Sequence, residues 1–316
     1  MKILFFGSPH FAVPCLESLH HSEHEVLAVI TKPDRPSGRG RVLKGTEVKK
    51  WCVRNHVDVI QPEKIRSEQF IRQLKEFRAD LFIVVGFPIL PQAIIDIPPR
   101  GAINVHASLL PAYRGAAPIQ WALINGEKET GITVFYLARK VDTGNIILQK
   151  KAEVTEDDTS ETLHNKLLTL GREALQESVA LIAAGNVKSR PQTGEVSRAP
   201  KITPEMPLIH WDMPAQQVHN RIRAFSPRPG AYTFLNGKRI KIFSSSVVAT
   251  QKDPMPPGSI LECTNDSVVV CCARDCIEFR EIQIQGKKRM AVADFLRGCS
   301  LRTGDRFYSY GQEQES

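Results

Sequence analysis

Apolar residues in the first half of the chain come in short runs, separated by stretches with helical spacing. Lys2–Gly7 and Val26–Thr31 are runs of strand length. Thr46–His56 repeats its apolar positions at helical intervals, and Val57–Ile60 reads as a short strand. Ser67 stands as an N-cap ahead of Phe70, Ile71, Leu74 and Phe77, because a serine hydroxyl can accept from the unpaired amides that open a helix. Asp80–Val85 is continuously apolar, the pattern of a strand covered on both faces. Gly101–His106, Ile132–Leu137 and Ile146–Val154 are further strands, and Ala116–Asn125 is a helix closed by Gly126. Asp158 is expected to cap a long helix from Thr159 to Ala184, ended by Gly185. Strands alternating with helices predict an α/β fold with a doubly wound, mostly parallel sheet, Rossmann-like in architecture.

Residues 186–208 lose this pattern. They hold Pro191, Pro200, Pro204 and Pro207 among polar residues and read as a linker. A helix over Ala215–Phe225 follows, then short strands at Tyr232–Leu235, Arg239–Val248, Ser259–Cys263, Ser267–Cys272 and Ile277–Ile284, with a late helix at Ala291–Arg297. Asn236-Gly237 is a strong hairpin signal. These strands predict a small antiparallel barrel of the OB-like kind, an architecture that handles oligonucleotides. The expected division is an α/β domain over 1–186, a linker over 187–207 and a barrel domain over 208–316.

Composition adds bounds. The 316 residues are 42% hydrophobic and 24% charged, as in ordinary soluble globular proteins. No apolar run is long enough to span a bilayer, and the first strand meets Gly7-Ser-Pro too early for a signal peptide. A cytoplasmic protein with no membrane partner is expected. The seven cysteines are odd in number and show no Cys-x-x-Cys spacing. Cys263, Cys271, Cys272 and Cys276 fall in alternating strands and read as reduced, small strand residues rather than metal ligands. Net charge is +8, and its distribution matters more than its size. Residues 32–54 carry eight Lys or Arg against Asp34 and Glu47, a concentration suited to a polyanion.

The candidate chemistry sits at the end of the Gly101–His106 strand. Side chains two apart share a face of a strand, so Asn104 and His106 project together where the strand opens into a loop. An amide beside an imidazole can hold a developing oxyanion and manage a proton. Asp142, in Val-Asp-Thr-Gly after the next strand, can orient the ring. Gly7-Ser-Pro is not a Gly-x-Gly-x-x-Gly fingerprint, and residues 38–46 lack the Gly-Lys-Ser/Thr of a phosphate loop and read as a flexible basic loop. The apolar loop Val85–Pro91, with Phe87, Pro88 and Ile89, suits a flat heterocycle if it borders the crevice.

These residues, read as one series, are similar to a known family. Gly101-Ala-Ile-Asn-Val-His-Ala-Ser-Leu-Leu-Pro-Ala-Tyr-Arg-Gly-Ala-Ala-Pro-Ile-Gln, then Glu129-Thr-Gly-Ile-Thr and Val141-Asp-Thr-Gly, resemble the 10-formyltetrahydrofolate-dependent formyltransferases. Asp34-Arg-Pro-Ser-Gly-Arg-Gly and Arg223-Ala-Phe-Ser-Pro-Arg-Pro-Gly-Ala-Tyr narrow the resemblance to the methionyl-tRNA formyltransferases, over nearly the whole chain. The resemblance implies that Asn104, His106 and Asp142 are the catalytic trio, and that Ser108, Leu109, Leu110 and Pro111 contact the folate. It implies 10-formyltetrahydrofolate as formyl donor, no metal, and initiator methionyl-tRNA as acceptor. Arg35, Arg39, Arg41 and Lys44 then lie in the insertion that approaches the acceptor end of the tRNA, with Arg39 the foremost candidate for reading its first bases. Lys201 matches a functional linker lysine, and the barrel becomes a tRNA-binding domain. A monomer is expected. Three departures stand out: Ala112 where a basic residue is common, His210 before Trp211 where an aspartate is usual, and a loop at 85–91 one residue shorter than the usual form. The alternative is a formyltransferase acting on an amino-sugar nucleotide or another small amine, which has less use for the arginine-rich loop.

Overall fold

Five of the short apolar runs align as parallel strands: β1 (Lys2–Gly7), β2 (Glu25–Ile30), β3 (Val59–Ile60), β4 (Leu81–Val85) and β5 (Ala102–His106). In the computed structural model, which describes residues 1–37, 42–250, 255–299 and 301–309, they lie in the order β3-β2-β1-β4-β5. Two antiparallel strands extend the far edge, β6 (Glu129–Tyr136) beside β5 and β7 (Ile146–Glu153) beside β6. The sheet is mostly parallel, as the alternating pattern predicts. Chain order reverses between β1 and β4, and in such sheets ligands occupy the crevice beyond the carboxyl ends at the reversal. Gly7 pairs with Val85, so the segments after β1 and β4 leave the sheet side by side.

One face of this sheet buries Leu4, Phe6, Ala28, Ile30, Phe82, Val84 and Ala102 under Phe70 and Leu74 of the helix Glu68–Glu76. Ser67 caps that helix by accepting from the Phe70 amide at 3.3 Å. Thr46 caps the helix Glu47–Arg54 through the Lys49 amide at 3.0 Å. The long helix Ser160–Ala183 corrects the sequence reading at its start. Its cap is Thr159, whose hydroxyl accepts from the Thr162 amide at 3.2 Å. Asp158 accepts from the Thr155 amide in the preceding turn and from the Thr162 hydroxyl in the first turn of the helix.

The carboxyl-terminal strands are β8 (Ala231–Leu235), β9 (Lys238–Val248), β10 (Ile260–Cys263), β11 (Val268–Cys271) and β12 (Cys276–Ile284). They pair antiparallel in the order β8-β9-β12-β11-β10, with Met290–Ala291 also on β12. Asn236 and Gly237 take φ of 47° and 71°, the left-handed pair that a tight hairpin needs. The two outer strands are joined by one later segment: Tyr308 bridges Phe234 on β8, and Arg306 bridges Ser259 at the start of β10. Trp211, Ile222, Phe225, Ile242, Phe279 and Phe307 fill the interior.

Cα packing divides the chain into two compact units. One comprises Met1–Pro118, Glu129–Glu153 and His164–Pro200; the other comprises Ile119–Lys128, Val154–Leu163 and Lys201–Ser316. All seven cysteines are free thiols, and Cys271 and Cys276 face each other across β11 and β12 with sulfurs 3.8 Å apart. Among the described residues no group of three His, Cys, Asp or Glu side chains is placed to hold a metal ion, and no helix is long and apolar enough to cross a membrane.

Candidate active site

The face of β5 that sets Ala102 into the apolar core carries Asn104 and then His106 as the strand reaches its carboxyl end. Asn104 is flanked by Val84 on β4 and Phe135 on β6, and His106 lies opposite Thr133. His106 is 6% exposed. Its Nε2 lies 2.9 Å from the carbonyl oxygen of Tyr113. A carbonyl only accepts, so Nε2 carries the proton and donates it, which leaves Nδ1 as the uncommitted ring nitrogen.

Asp142 reaches the same place from the loop between β6 and β7. Its Oδ2 is 4.0 Å from Nδ1 of His106 and accepts from the Gly115 amide at 2.9 Å. The separation from the ring is too long for a hydrogen bond, and the carboxylate faces Nδ1 across that gap. Ring orientation therefore comes from the Tyr113 carbonyl, and the Asp142 carboxylate is itself held by a backbone amide. Both anchors need unusual backbone. Tyr113 and Asp142 have φ of 59° and 54°, left-handed values that cost a residue with a side chain about 1–3 kcal/mol and cluster at functional sites. Two glycines permit the close approaches: a Cβ on Gly144 would lie 1.6 Å from the Tyr136 oxygen, and one on Gly115 2.5 Å from the Ala199 oxygen.

The loop after β5 is braced from below. Ser108 donates its hydroxyl to the Ala112 carbonyl at 2.6 Å, and Thr133 donates to the Ser108 carbonyl at 2.6 Å. The Leu110 amide donates to the Thr133 oxygen at 3.0 Å, and the Gln149 amide donates to the Leu110 carbonyl at 2.9 Å. Ser108 and Leu110 are thus buried, whereas Leu109 and Pro111 keep partial exposure and present an apolar rim. Beyond β4, Phe87 is half-buried edge-on to Phe6 with centroids 5.6 Å apart, Pro88 is partly exposed, and Ile89 is 65% exposed. The sequence reading assigns no role to Thr133, Gln149, Gln192, Ser197 or the backbone of 113–115, although Thr133 and 113–115 lie inside the motifs that carry the resemblance. Only the two glycines signalled tight packing there.

The basic segment pairs as an antiparallel hairpin, Arg35–Ser37 against Val42–Lys44, so the described start of the expected flexible loop at 38–46 is strand, while residues 38–41 lie outside the described residues. Arg35 and Lys44 are exposed cross-strand partners. Like charges in that relation repel and favour an anion over the pair. At the hairpin base Asp34 accepts from Gln61 at 2.8 Å and pairs with Lys49 at 2.7 Å. The Gln61 hydrogen bond, with Lys49 beside it, holds the Asp34 carboxyl below its ordinary range. Lys50 is paired with Glu47 at 2.6 Å. Arg39 and Arg41 lie outside the described residues. Lys201 is exposed and belongs to the second compact unit.

Known proteins show the same plan. Residues 1–179 match the family described as formyl transferase, and residues 201–300 match the formyl transferase C-terminal domain. Methionyl-tRNA formyltransferase of Acetivibrio thermocellus is 39% identical over 307 residues, 96% of this chain and 99% of that protein. The same-named protein of Pelotomaculum thermopropionicum is 43% identical over 305 residues, covering 96% and 97% of the two chains. Among solved structures, the sugar 3N-formyl transferase WlaRD with dTDP and 5-N-formyl-THF superposes with a TM-score of 0.65 at 20% identity, covering 91% of this chain and 99% of that one. HypX from Aquifex aeolicus in complex with tetrahydrofolic acid gives 0.63 at 17% identity, covering 94% and 47%. At such identities the structural likeness is one of fold.

Proposed function

The chain belongs to the methionyl-tRNA formyltransferases, within the formyl transferase family, and from that membership we propose that it moves the formyl group of 10-formyltetrahydrofolate onto the α-amino group of methionine esterified to initiator tRNA. The observation that carries the reading of the site is the end of β5: a carboxamide and an imidazole share a face, with a carboxylate 4.0 Å from the ring.

The amine attacks the formyl carbon in its neutral form. A nitrogen–carbon bond forms as the carbonyl π pair moves onto oxygen. Asn104 donates from its amide to that oxygen, a role worth most in a water-poor setting. His106 has its Nε2 proton committed to Tyr113, so Nδ1 is the nitrogen that takes the proton leaving the amine, and the Asp142 carboxylate faces the charge that results. Collapse of the intermediate restores the carbonyl, breaks the bond to N10 and returns a proton to N10. The products are tetrahydrofolate and N-formylmethionyl-tRNA.

In this reading Leu109 and Pro111 form one wall of the folate site, supported by the buried Ser108 and Leu110, and Phe87, Pro88 and Ile89 form another. Arg35, Arg39, Arg41 and Lys44 meet phosphates and end bases of the acceptor stem, Lys201 adds a further cation, and the carboxyl-terminal barrel binds the tRNA body. The enzyme works as a monomer in the cytoplasm. The test supplies purified protein with 10-formyltetrahydrofolate and either methionyl initiator tRNA or an amino-sugar nucleotide. Formylmethionine released from the tRNA is the expected product. Formylation of the sugar amine with none on the tRNA would overturn the proposal.

A further inference from the structure

Residues 190–199 fall in the proline-containing stretch that reads as a linker, yet they are bound into the first compact unit along the back of the site. The Ser197 hydroxyl accepts from the Tyr113 amide at 2.8 Å, and its carbonyl accepts from the Arg114 amide at 3.0 Å. Ala199 pairs in parallel with Gly115. Tyr113 and Gly115 are the residues whose backbone bonds His106 and Asp142. The stretch therefore sets the two anchors of the site from behind.

Gln192 goes one step closer. Its amide nitrogen donates to the carbonyl oxygens of both Asp142 and Gly144, each at 2.9 Å. Its amide oxygen accepts from the Arg114 guanidinium twice, at 2.6 Å from Nη2 and 3.2 Å from Nε. The carboxamide thus uses both donors and both acceptor sites. A glutamate there could accept from Arg114 but could not donate to the two carbonyls, and a lysine could donate but not accept. The clasped turn holds Asp142 at φ 54°, a conformation the residue adopts only where its surroundings impose it.

We propose that Gln192 is a positioning residue for formyl transfer, fixing the Asp142 carboxylate against His106 by holding the carbonyls of the Asp142–Gly144 turn. This deepens the proposed function and rests on its assignment of Asp142. The expected effect is on the transition state and not on ground-state binding, because the hydrogen bonds of Gln192 among the described residues go to Arg114, Asp142 and Gly144.

The experiment is a double-mutant cycle on the full-length enzyme, with kcat and KM measured for methionyl initiator tRNA and for 10-formyltetrahydrofolate. Gln192→Met keeps the length and removes the hydrogen bonds; Gln192→Glu keeps the Arg114 side and removes only the donor. Both are expected to lower kcat by about ten- to a hundredfold, the scale of a displaced catalytic group, with KM for either substrate changed by less than about threefold. In an Asp142→Asn background the same changes should add less than about threefold, since a group that acts through Asp142 has nothing left to position. Undiminished kcat in Gln192→Glu, or the same fold loss in both backgrounds, overturns the proposal. If Asp142→Asn alone keeps full turnover, the assignment of Asp142 fails instead, and the two failures are distinct. Should Gln192→Met prove unfolded by circular dichroism, Gln192→Glu carries the cycle, because it keeps the guanidinium partner.

Discussion

Asn104 lies half-buried on β5, and no hydrogen bond among the described residues engages its carboxamide, although the imidazole two residues on is already committed at Nε2. An amide left open at the end of a buried strand is a donor waiting for a ligand. Asn104→Ala should lower kcat about a hundred- to a thousandfold, or ~3–4 kcal/mol of barrier, because it deletes one donor to the developing oxyanion. Its thermal midpoint should stay within a few degrees of the parent, because no hydrogen bond among the described residues is lost with the side chain. Single-turnover formylation and a thermal melt read the two quantities, and a melt depressed in step with activity would make Asn104 a structural residue. The side-chain members of the site were legible: strand alternation alone puts Asn104 and His106 on one face, and Asp142 is drawn to them. The bonds that hold them were not. The ring is oriented by a carbonyl and the carboxylate by an amide, and backbone groups leave no signature in residue type. Gly115 and Gly144 are the trace they leave, as positions where a side chain would collide with a backbone oxygen.

At the scale of elements, apolar runs bounded by caps gave the strands of the parallel sheet to within about three residues at each end. Two of the places where pattern failed are shaped by contacts outside the segment itself. The 190–199 stretch looks like a linker because its prolines and polar residues have no period, but its partners lie some forty to eighty residues earlier, on 142–149 and on 113–117. The basic segment looks like a loop because charge masks strand alternation, yet Arg35 and Lys44 sit opposite each other on a hairpin whose base is fixed by Asp34, Gln61 and Lys49. A hairpin holds cations at a set spacing, which a free loop does not. Removing Arg35 and Lys44 together should raise KM for tRNA while leaving KM for the folate unchanged. It should also reduce the slope of log affinity against log salt by about one to two, one phosphate contact for each cation lost. An unchanged slope in a salt titration would take the hairpin out of the RNA contact.

For the molecule as a whole, the carboxyl-terminal barrel depends on a segment that has little strand pattern of its own. Arg306 to Tyr308 bridges β8 on one side and the start of β10 on the other, and Phe307 between them is 2% exposed, packed edge-on to Phe279 with centroids 5.4 Å apart. Sequence reading found the five barrel strands and not this piece, since a three-residue stitch is below the length at which alternation can be seen. Phe307→Ala should destabilise the protein by about 3–5 kcal/mol, the usual range for emptying a buried aromatic site. Differential scanning calorimetry should show the loss, and a melt indistinguishable from the parent would mean that the seam is held by backbone pairing alone. The order of synthesis gives the seam a further meaning. A ribosome releases β8 about seventy residues before the piece that pairs with its free edge, so a nascent barrel carries two open strand edges, prone to join other chains, until translation has passed residue 308. A message that stops just short of that point yields a polypeptide with every strand of the barrel and nothing to fasten it.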